Sequence, residues 1–263
     1  MRARILTASL CLPLVFAVVL RAADRQFRAF VVAITVLSLF EYFRMAFSPW
    51  KKRWFGMAMG LAIAAALFSG HRSVLPLSLL GVLFGTLAFS LVTLVGVEIP
   101  FRDAGVTVLG SLYSGFLPPH FSLLRELDEG ISWLLLVLVP VFVADSAALF
   151  VGKRWGATPL LPAVSPAKTV EGAAASTLAG VAAGVSLGAY LFPAMGVGEI
   201  ALISVVVNLL AQSGDLAESF LKRNFGVKDS GAIFPGHGGV LDRTDSLMFP
   251  CAFVYYYCVL LRR

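Results

Sequence analysis

The chain has 263 residues, carries 21 Lys+Arg against 15 Asp+Glu for a net charge of +6, and is 59% hydrophobic with only 14% charged residues. Its mean hydropathy of +0.87 and its 21 phenylalanines describe more apolar surface than a soluble core can bury, which excludes an ordinary water-soluble domain. Cys11, Cys251 and Cys258 lie in apolar runs with no C-x-x-C or Cys/His cluster, which argues against a disulfide framework and a zinc site, and no basic, aromatic-rich strand suggests nucleic acid.

A spanning helix needs about 20 mostly apolar residues. In chain order nine stretches qualify, at roughly 5–20, 29–47, 54–69, 74–97, 104–122, 131–151, 172–195, 200–220 and 245–261. The first, between Arg2/Arg4 and Arg21, resembles a signal peptide in its flanks, but no small-residue cleavage site follows, so it is read as a retained span. With the N-terminus inside, fourteen of the 21 basic residues fall on inner loops and seven outside. The positive-inside rule therefore places the N-terminus and the inner loops in the cytoplasm. The expected fold is an all-α polytopic membrane protein of about nine transmembrane helices, with an active-site cavity opening to the cytoplasmic face. No internal repeat divides it, so 1–263 reads as one membrane domain: a helical scaffold over 1–130, then catalytic helices and loops over 131–263.

In the first part, charges sit at span ends. Glu41 and Arg44, three apart on one helical face, are expected to pair with each other; Glu98, Arg102 and Asp103 form a loop cluster with no assigned function. After residue 130 polar features interrupt the apolar text. Asp145 lies near the inner end of the sixth span, where an ionised carboxylate faces a partner or a wet cavity. It either pairs with Lys153 or Arg154 two turns on or lines the active cavity. In PAVSPAKTVEG, Ser165 followed by Pro166 predicts a helix start, serine capping and proline at the first helical position. Lys168 would then project from the first turn, as part of a phosphate seat or as a snorkelling lysine beside a plain cap. The following helix places Gly172, Ser176, Gly180, Gly184 and Gly188 four residues apart, a small-residue stripe suited to close packing.

The run from Asn208 to Ser246 carries the most chemistry. Asp215, Ser219 and Lys222 stand at i, i+4 and i+7 and share a face if the eighth span continues through them; Asp242 and Asp245, three apart, do likewise on the ninth. Oxygen ligands without a histidine–cysteine cage suit a hard cation, and magnesium held by one or two carboxylates plus substrate phosphates is the usual arrangement in phosphoryl chemistry. Lys222, Arg223, Lys228 and Arg243 supply positive charge for a polyphosphate. Gly236, Gly238 and Gly239 let backbone amides approach phosphate. His237 is read as a phosphate or loop-positioning contact, because a phosphomonoester nucleophile is already largely ionised at neutral pH.

Ser219-x-x-Lys222-Arg223, then Lys228-Asp229-Ser230-Gly231, then PGHGG and Asp242-Arg243-x-Asp245 resembles the signature of the CDP-diacylglycerol synthase (phosphatidate cytidylyltransferase) family. Asp145, GKRWG and SPAKTVEG resemble its companion motifs, so the likeness covers the C-terminal half. The resemblance implies a homodimeric membrane enzyme that joins CTP to phosphatidic acid, giving CDP-diacylglycerol and pyrophosphate with Mg2+, a monovalent cation such as K+ being an optional companion. By position, Asp215 and Asp242 would match the family's metal-binding aspartates. Ser165, Lys168 and Glu171 would match a substrate-binding motif, and Lys222, Arg223, Lys228 and His237 its phosphate-handling loop; Ser219 and Asp229 belong to the same signature. Two other readings compete: a CTP-dependent enzyme acting on an isoprenoid lipid phosphate, and a secondary transporter of an anionic substrate, the latter weakened by the absence of a matching motif pair in the other half.

Overall fold

The structure is a computed structural model that describes residues 13–71, 73–93, 101–233 and 238–262. Cys11, Arg2, Arg4, Glu98, Gly236 and His237 lie outside the described residues, as does the first half of the first expected span. The chain folds into α1 (13–21), α2 (Asp24–Ala46), α3 (Trp50–Ser69), α4 (Val74–Thr93), α5 (Phe101–Gly110), a π-helical turn (Ser111–Phe116) and α6 (His120–Arg125). Then follow α7 (Gly130–Trp155), a two-stranded antiparallel hairpin of β1 (Pro159–Leu161) and β2 (Ser165–Thr169), α8 (Val170–Leu191), α9 (Val197–Asn224) and α10 (Leu241–Leu261).

Among the described residues six stretches are long and apolar enough to cross a membrane: Asp24–Ala46, Val74–Leu91, Gly130–Trp155, Val170–Leu191, Val197–Asn224 and Leu241–Leu261. That makes a multi-pass membrane protein, helical apart from the one short hairpin among the described residues. The expected third span is the 20-residue α3, whose first turn carries Lys51, Lys52 and Arg53. The stretch expected to span over 104–122 is interrupted. Pro118 and Pro119 bring no backbone N–H, so the helical hydrogen-bond ladder stops there and restarts at His120. The π-helical turn ahead of that break packs backbone to backbone on α3, where a Cβ at Gly115 would sit 2.8 Å from Gly60 Cα.

In the second half α7, α8, α9 and α10 pack on one another. Lipid tails are as apolar as the helices, so tight packing and buried polar contacts hold such helices together. The small-residue stripe of α8 does this work: Ser176, Gly180, Gly184 and Gly188 are all buried, facing α7 and α9. Asn208 Nδ2 donates to Ser176 O at 3.3 Å and Gln212 Nε2 to Thr177 Oγ1 at 3.0 Å, a polar ladder between α8 and α9 that leads toward Asp215. A Cβ at Gly184 would lie 2.8 Å from Ser204 Cβ. Gly184→Val is therefore expected to lower stability by about 1–3 kcal/mol, read as a depressed thermal midpoint in detergent. Gly198→Ala, which meets nothing within 4 Å, is the control and should leave the midpoint unchanged.

The α7–α8 connection departs from expectation. Ser165 and Pro166 do not start a helix. They form β2, paired with β1 through Leu161↔Ser165 and Pro159↔Thr169, and α8 begins at Val170. The cap is Thr169, in extended backbone, whose Oγ1 accepts from Gly172 N at 3.2 Å. Proline suits the first turn of a helix, but it is equally tolerated in a two-stranded hairpin where its missing N–H leaves no central ladder bond unmade. Lys168 is thus a strand residue. Glu171 accepts from Ala157 N and Thr158 N, each at 3.1 Å, and braces the hairpin's entry.

Candidate active site

The site is assembled from four directions. Helix α9 runs unbroken to Asn224, so Asp215, Ser219 and Lys222 do occupy one helix, with Glu218 between them. The first turns of α10 bring Asp242, Arg243 and Asp245, β2 brings Lys168, and α7 brings Asp145. Gly214 permits the approach of α9 to α10: a Cβ there would run into the backbone carbonyl of Asp245 and lie 3.2 Å from the Phe249 ring.

Two ammonium groups tie these elements together. Lys168 Nζ lies 2.6 Å from Asp215 Oδ2, linking the hairpin to α9. Lys222 Nζ bridges Glu218 Oε2 and Asp242 Oδ1, each at 2.5 Å, linking α9 to α10. Glu218 is 1% exposed, and its Oε1 has no hydrogen-bond partner among the described residues. Burying a carboxylate so completely is costly unless it is paired, and Lys222 is the pair.

Asp242 organises the loop before α10. Its Oδ2 accepts from Ser230 N (2.9 Å), Ser230 Oγ (2.8 Å) and Gly239 N (2.7 Å). Gly238 adopts φ +79, a conformation a side chain would strain, and any Cβ there would strike the Asp242 carboxylate. Gly239 was expected to offer its amide to phosphate; that N–H is instead donated to Asp242. Asp245 is buried, with Oδ1 accepting from Ser246 N at 2.8 Å and with Asp215, Lys222 and Arg243 as its charged neighbours. Asp145 is exposed on α7, and the charges acting on it come from Asp215, Lys168 and Arg243. Among the described residues no ion pair joins it to Lys153 or Arg154.

Other expected site residues stand apart from this cluster. Arg223 Nε donates to Val164 O at 3.3 Å, against the hairpin turn. Lys228 and Asp229 are exposed and Ser219 is half-buried on α9, whereas Arg243, also exposed, stays with the cluster as a charged neighbour of Asp145 and Asp245. Ser165 and Glu171 serve the hairpin. Among the described residues no three His, Cys, Asp or Glu side chains converge closely enough to cage a metal ion by themselves.

The structure adds residues that the sequence reading passed over. Glu218 carried a signal, the i,i+4 spacing to Lys222. Tyr113, from the π-helical turn, buries a hydroxyl that has no hydrogen-bond partner among the described residues and lies within electrostatic range of Asp245, Glu218 and Asp215; nothing in its apolar surroundings in the sequence marks it. Glu41 is the clearest correction. It does not pair with Arg44, whose guanidinium lies 6.0 Å from the Phe40 ring centroid. Its buried carboxylate accepts from Val240 N, Leu241 N and Ser230 Oγ, some 190 to 200 residues away in the chain. A local pairing rule has no access to partners at that separation.

A family model described as the cytidylyltransferase family matches residues 2–261. A phosphatidate cytidylyltransferase of Synechocystis is 32% identical over 302 aligned positions, covering 98% of this chain and 96% of that protein. Those of Bacillus subtilis and Brucella suis are 38% and 41% identical, over 59% and 58% of this chain. In these two comparisons the chain spans 58% and 57% of the relative's own length.

Proposed function

Because the chain belongs to the cytidylyltransferase family, we propose that it transfers the cytidylyl group of CTP to phosphatidic acid, forming CDP-diacylglycerol and pyrophosphate. The observation that carries the reading is Lys222 held between Glu218 and Asp242, in a chain similar over 98% of its length to a protein named for this activity. A phosphatidate oxygen attacks the α-phosphorus of CTP in line, and pyrophosphate leaves carrying the electron pair of the broken P–O bond. The phosphomonoester, with a second pKa of about 6, is already ionised and needs no general base. Catalysis then consists of positioning and charge stabilisation. Lys222 and Lys168, fixed by carboxylates, present ammonium groups at the site, and the exposed Lys228 and Arg243 with Arg223 attract the triphosphate at its mouth. His237 is assigned a phosphate or loop contact, as the sequence suggests.

Magnesium is proposed as the cofactor, held by one or two of Asp215, Asp242 and Asp245, with substrate phosphates completing its oxygen shell. The donor set fits: Asp215 already receives a cationic group, the Lys168 ammonium at 2.6 Å, and opens outward with 40% of its side chain exposed. When bound, the ion neutralises phosphate charge and orients the leaving group. A monovalent cation such as K+ remains the optional companion. The basic excess of the inner loops supports placing the site on the cytoplasmic face of the inner membrane, where CTP is dissolved and the lipid acceptor enters sideways from the leaflet. A homodimer belongs to the same proposal on the resemblance alone.

Purified full-length chain with radiolabelled CTP and magnesium is expected to yield liponucleotide and pyrophosphate with phosphatidic acid. A panel including isoprenoid phosphates tests the acceptor. No liponucleotide with any acceptor refutes the reading, and preference for an isoprenoid phosphate transfers it to another lipid.

A further inference from the structure

Helix α10 begins without a cap of its own. Its N-cap residue is Val240, whose side chain carries no acceptor, and the first N–H groups of a helix otherwise lack partners. The acceptor comes from α2. Glu41 Oε1 takes Val240 N at 3.0 Å, and Oε2 takes Leu241 N at 2.9 Å and Ser230 Oγ at 3.1 Å. Glu41 is 1% exposed, and none of its three donors is a charged side chain. Its negative charge is met by backbone amides at the positive end of a helix dipole.

The surrounding sequence makes room for this carboxylate. A Cβ on Gly239 would strike both its oxygens, and one on Gly231 would lie 2.9 Å from Glu41 Cδ. Ser230 joins the two halves of the arrangement, because its single hydroxyl proton is shared between Glu41 Oε2 and Asp242 Oδ2. Five donors, the amides of Ser230, Gly239, Val240 and Leu241 and the Ser230 hydroxyl, thus hold two carboxylates side by side. The second of these, Asp242, holds Lys222. A connected path of hydrogen bonds runs from α2 to the ammonium group in α9.

We infer that Glu41 is a positioning residue for the reaction: by capping α10 from α2 it fixes Ser230 and the Gly239–Leu241 backbone and aims Asp242 at Lys222, so that the N-terminal half sets the geometry of the site. This rests on the cytidylyltransferase reading above. Glutamine at position 41 keeps the shape but turns one acceptor into a donor facing amide donors, and it removes the charge at the helix terminus. Aspartate keeps the charge but is too short to reach both amides.

The test compares the full chain with Glu41→Gln and Glu41→Asp in detergent. For Glu41→Gln, kcat is expected to fall about ten- to a hundredfold while KM for CTP moves less than about threefold, with Glu41→Asp falling between Glu41→Gln and the parent. In hydrogen exchange, the amides of Val240 and Leu241 should open about tenfold faster in Glu41→Gln while those of α7 and α8 keep their parental protection. Unchanged kcat in Glu41→Gln overturns the inference, as does faster exchange spread evenly through α7 and α8, which would mark general destabilisation. Should Glu41→Gln not fold, Glu41→Asp decides by the same two readouts. A parental chain without turnover overturns the activity and Glu41's part in it together, whereas parental turnover with an unaffected Glu41→Gln overturns this inference alone.

Discussion

Asp242→Asn is expected to remove turnover, on the order of a thousandfold or more, in a chain that still folds. The carboxylate has no spare capacity for a donor. Oδ2 accepts from two N–H groups and one hydroxyl, and Oδ1 accepts the Lys222 ammonium. Asparagine offers one oxygen and one NH2 group. If the oxygen stays with Lys222, the NH2 faces three donors; if it flips, the NH2 faces an ammonium. Either orientation opposes donor to donor, so the loop loosens and Lys222 loses its aim at once. Asp215→Asn should give a comparable loss by a different route, releasing Lys168 from its 2.6 Å contact and removing a proposed metal ligand. Both are measured as liponucleotide formed from labelled CTP at saturating substrate, with elution profile and thermal midpoint as checks on folding. Activity within tenfold of the parent in a folded Asp242→Asn chain would remove Asp242 from the proposed machinery.

The sequence made the long-range chemistry only partly legible, and the division follows physical lines. Helical spacing alone put Asp215, Ser219 and Lys222 on one element, because α9 has no proline or capping signal to stop it before Asn224. The α8 stripe of small residues was equally readable, since close packing between apolar helices leaves few alternatives. Contacts that cross the chain were not. Lys168 meets Asp215 only because residues 165–169 form a strand that turns back over the end of α7, and Ser165-Pro166 is compatible with a helix start as well as with that strand. Glu41 was read against its nearest opposite charge, Arg44, when its partners are uncharged amides at the far end of the sequence. Backbone donors leave no mark on composition, and glycines such as Gly231 and Gly239, which clear space for that carboxylate, are identical in sequence to glycines that bind phosphate. Hydropathy likewise marked 104–122 as a span, although Pro118 and Pro119 break the hydrogen-bond ladder that a continuous span requires.

Removing Lys222 is expected to affect stability and activity separately, and a second substitution should pull them apart. Lys222→Met deletes the one cationic group seen on Glu218 among the described residues, a side chain 1% exposed whose other oxygen has no partner among them. Leaving a buried carboxylate uncompensated costs about 3–5 kcal/mol, so the single variant should show a sharply lowered thermal midpoint together with lost turnover. Asp242 contributes less to that cost, because Oδ2 keeps its three donors at the α10 terminus when Lys222 is gone. The double variant Lys222→Met/Glu218→Gln removes the stranded charge as well. It should recover most of the lost stability, since neighbouring charges couple non-additively, while turnover stays absent because the Lys222 ammonium is still missing from the phosphate site. Glu218→Gln alone should be milder than Lys222→Met on stability, as Lys222 retains Asp242 at 2.5 Å. A double variant as unstable as Lys222→Met would show that Lys222 does not act on the fold through Glu218. One that regains both stability and turnover would show that the ammonium has no part in the chemistry and that its conspicuous position between two helices is purely structural.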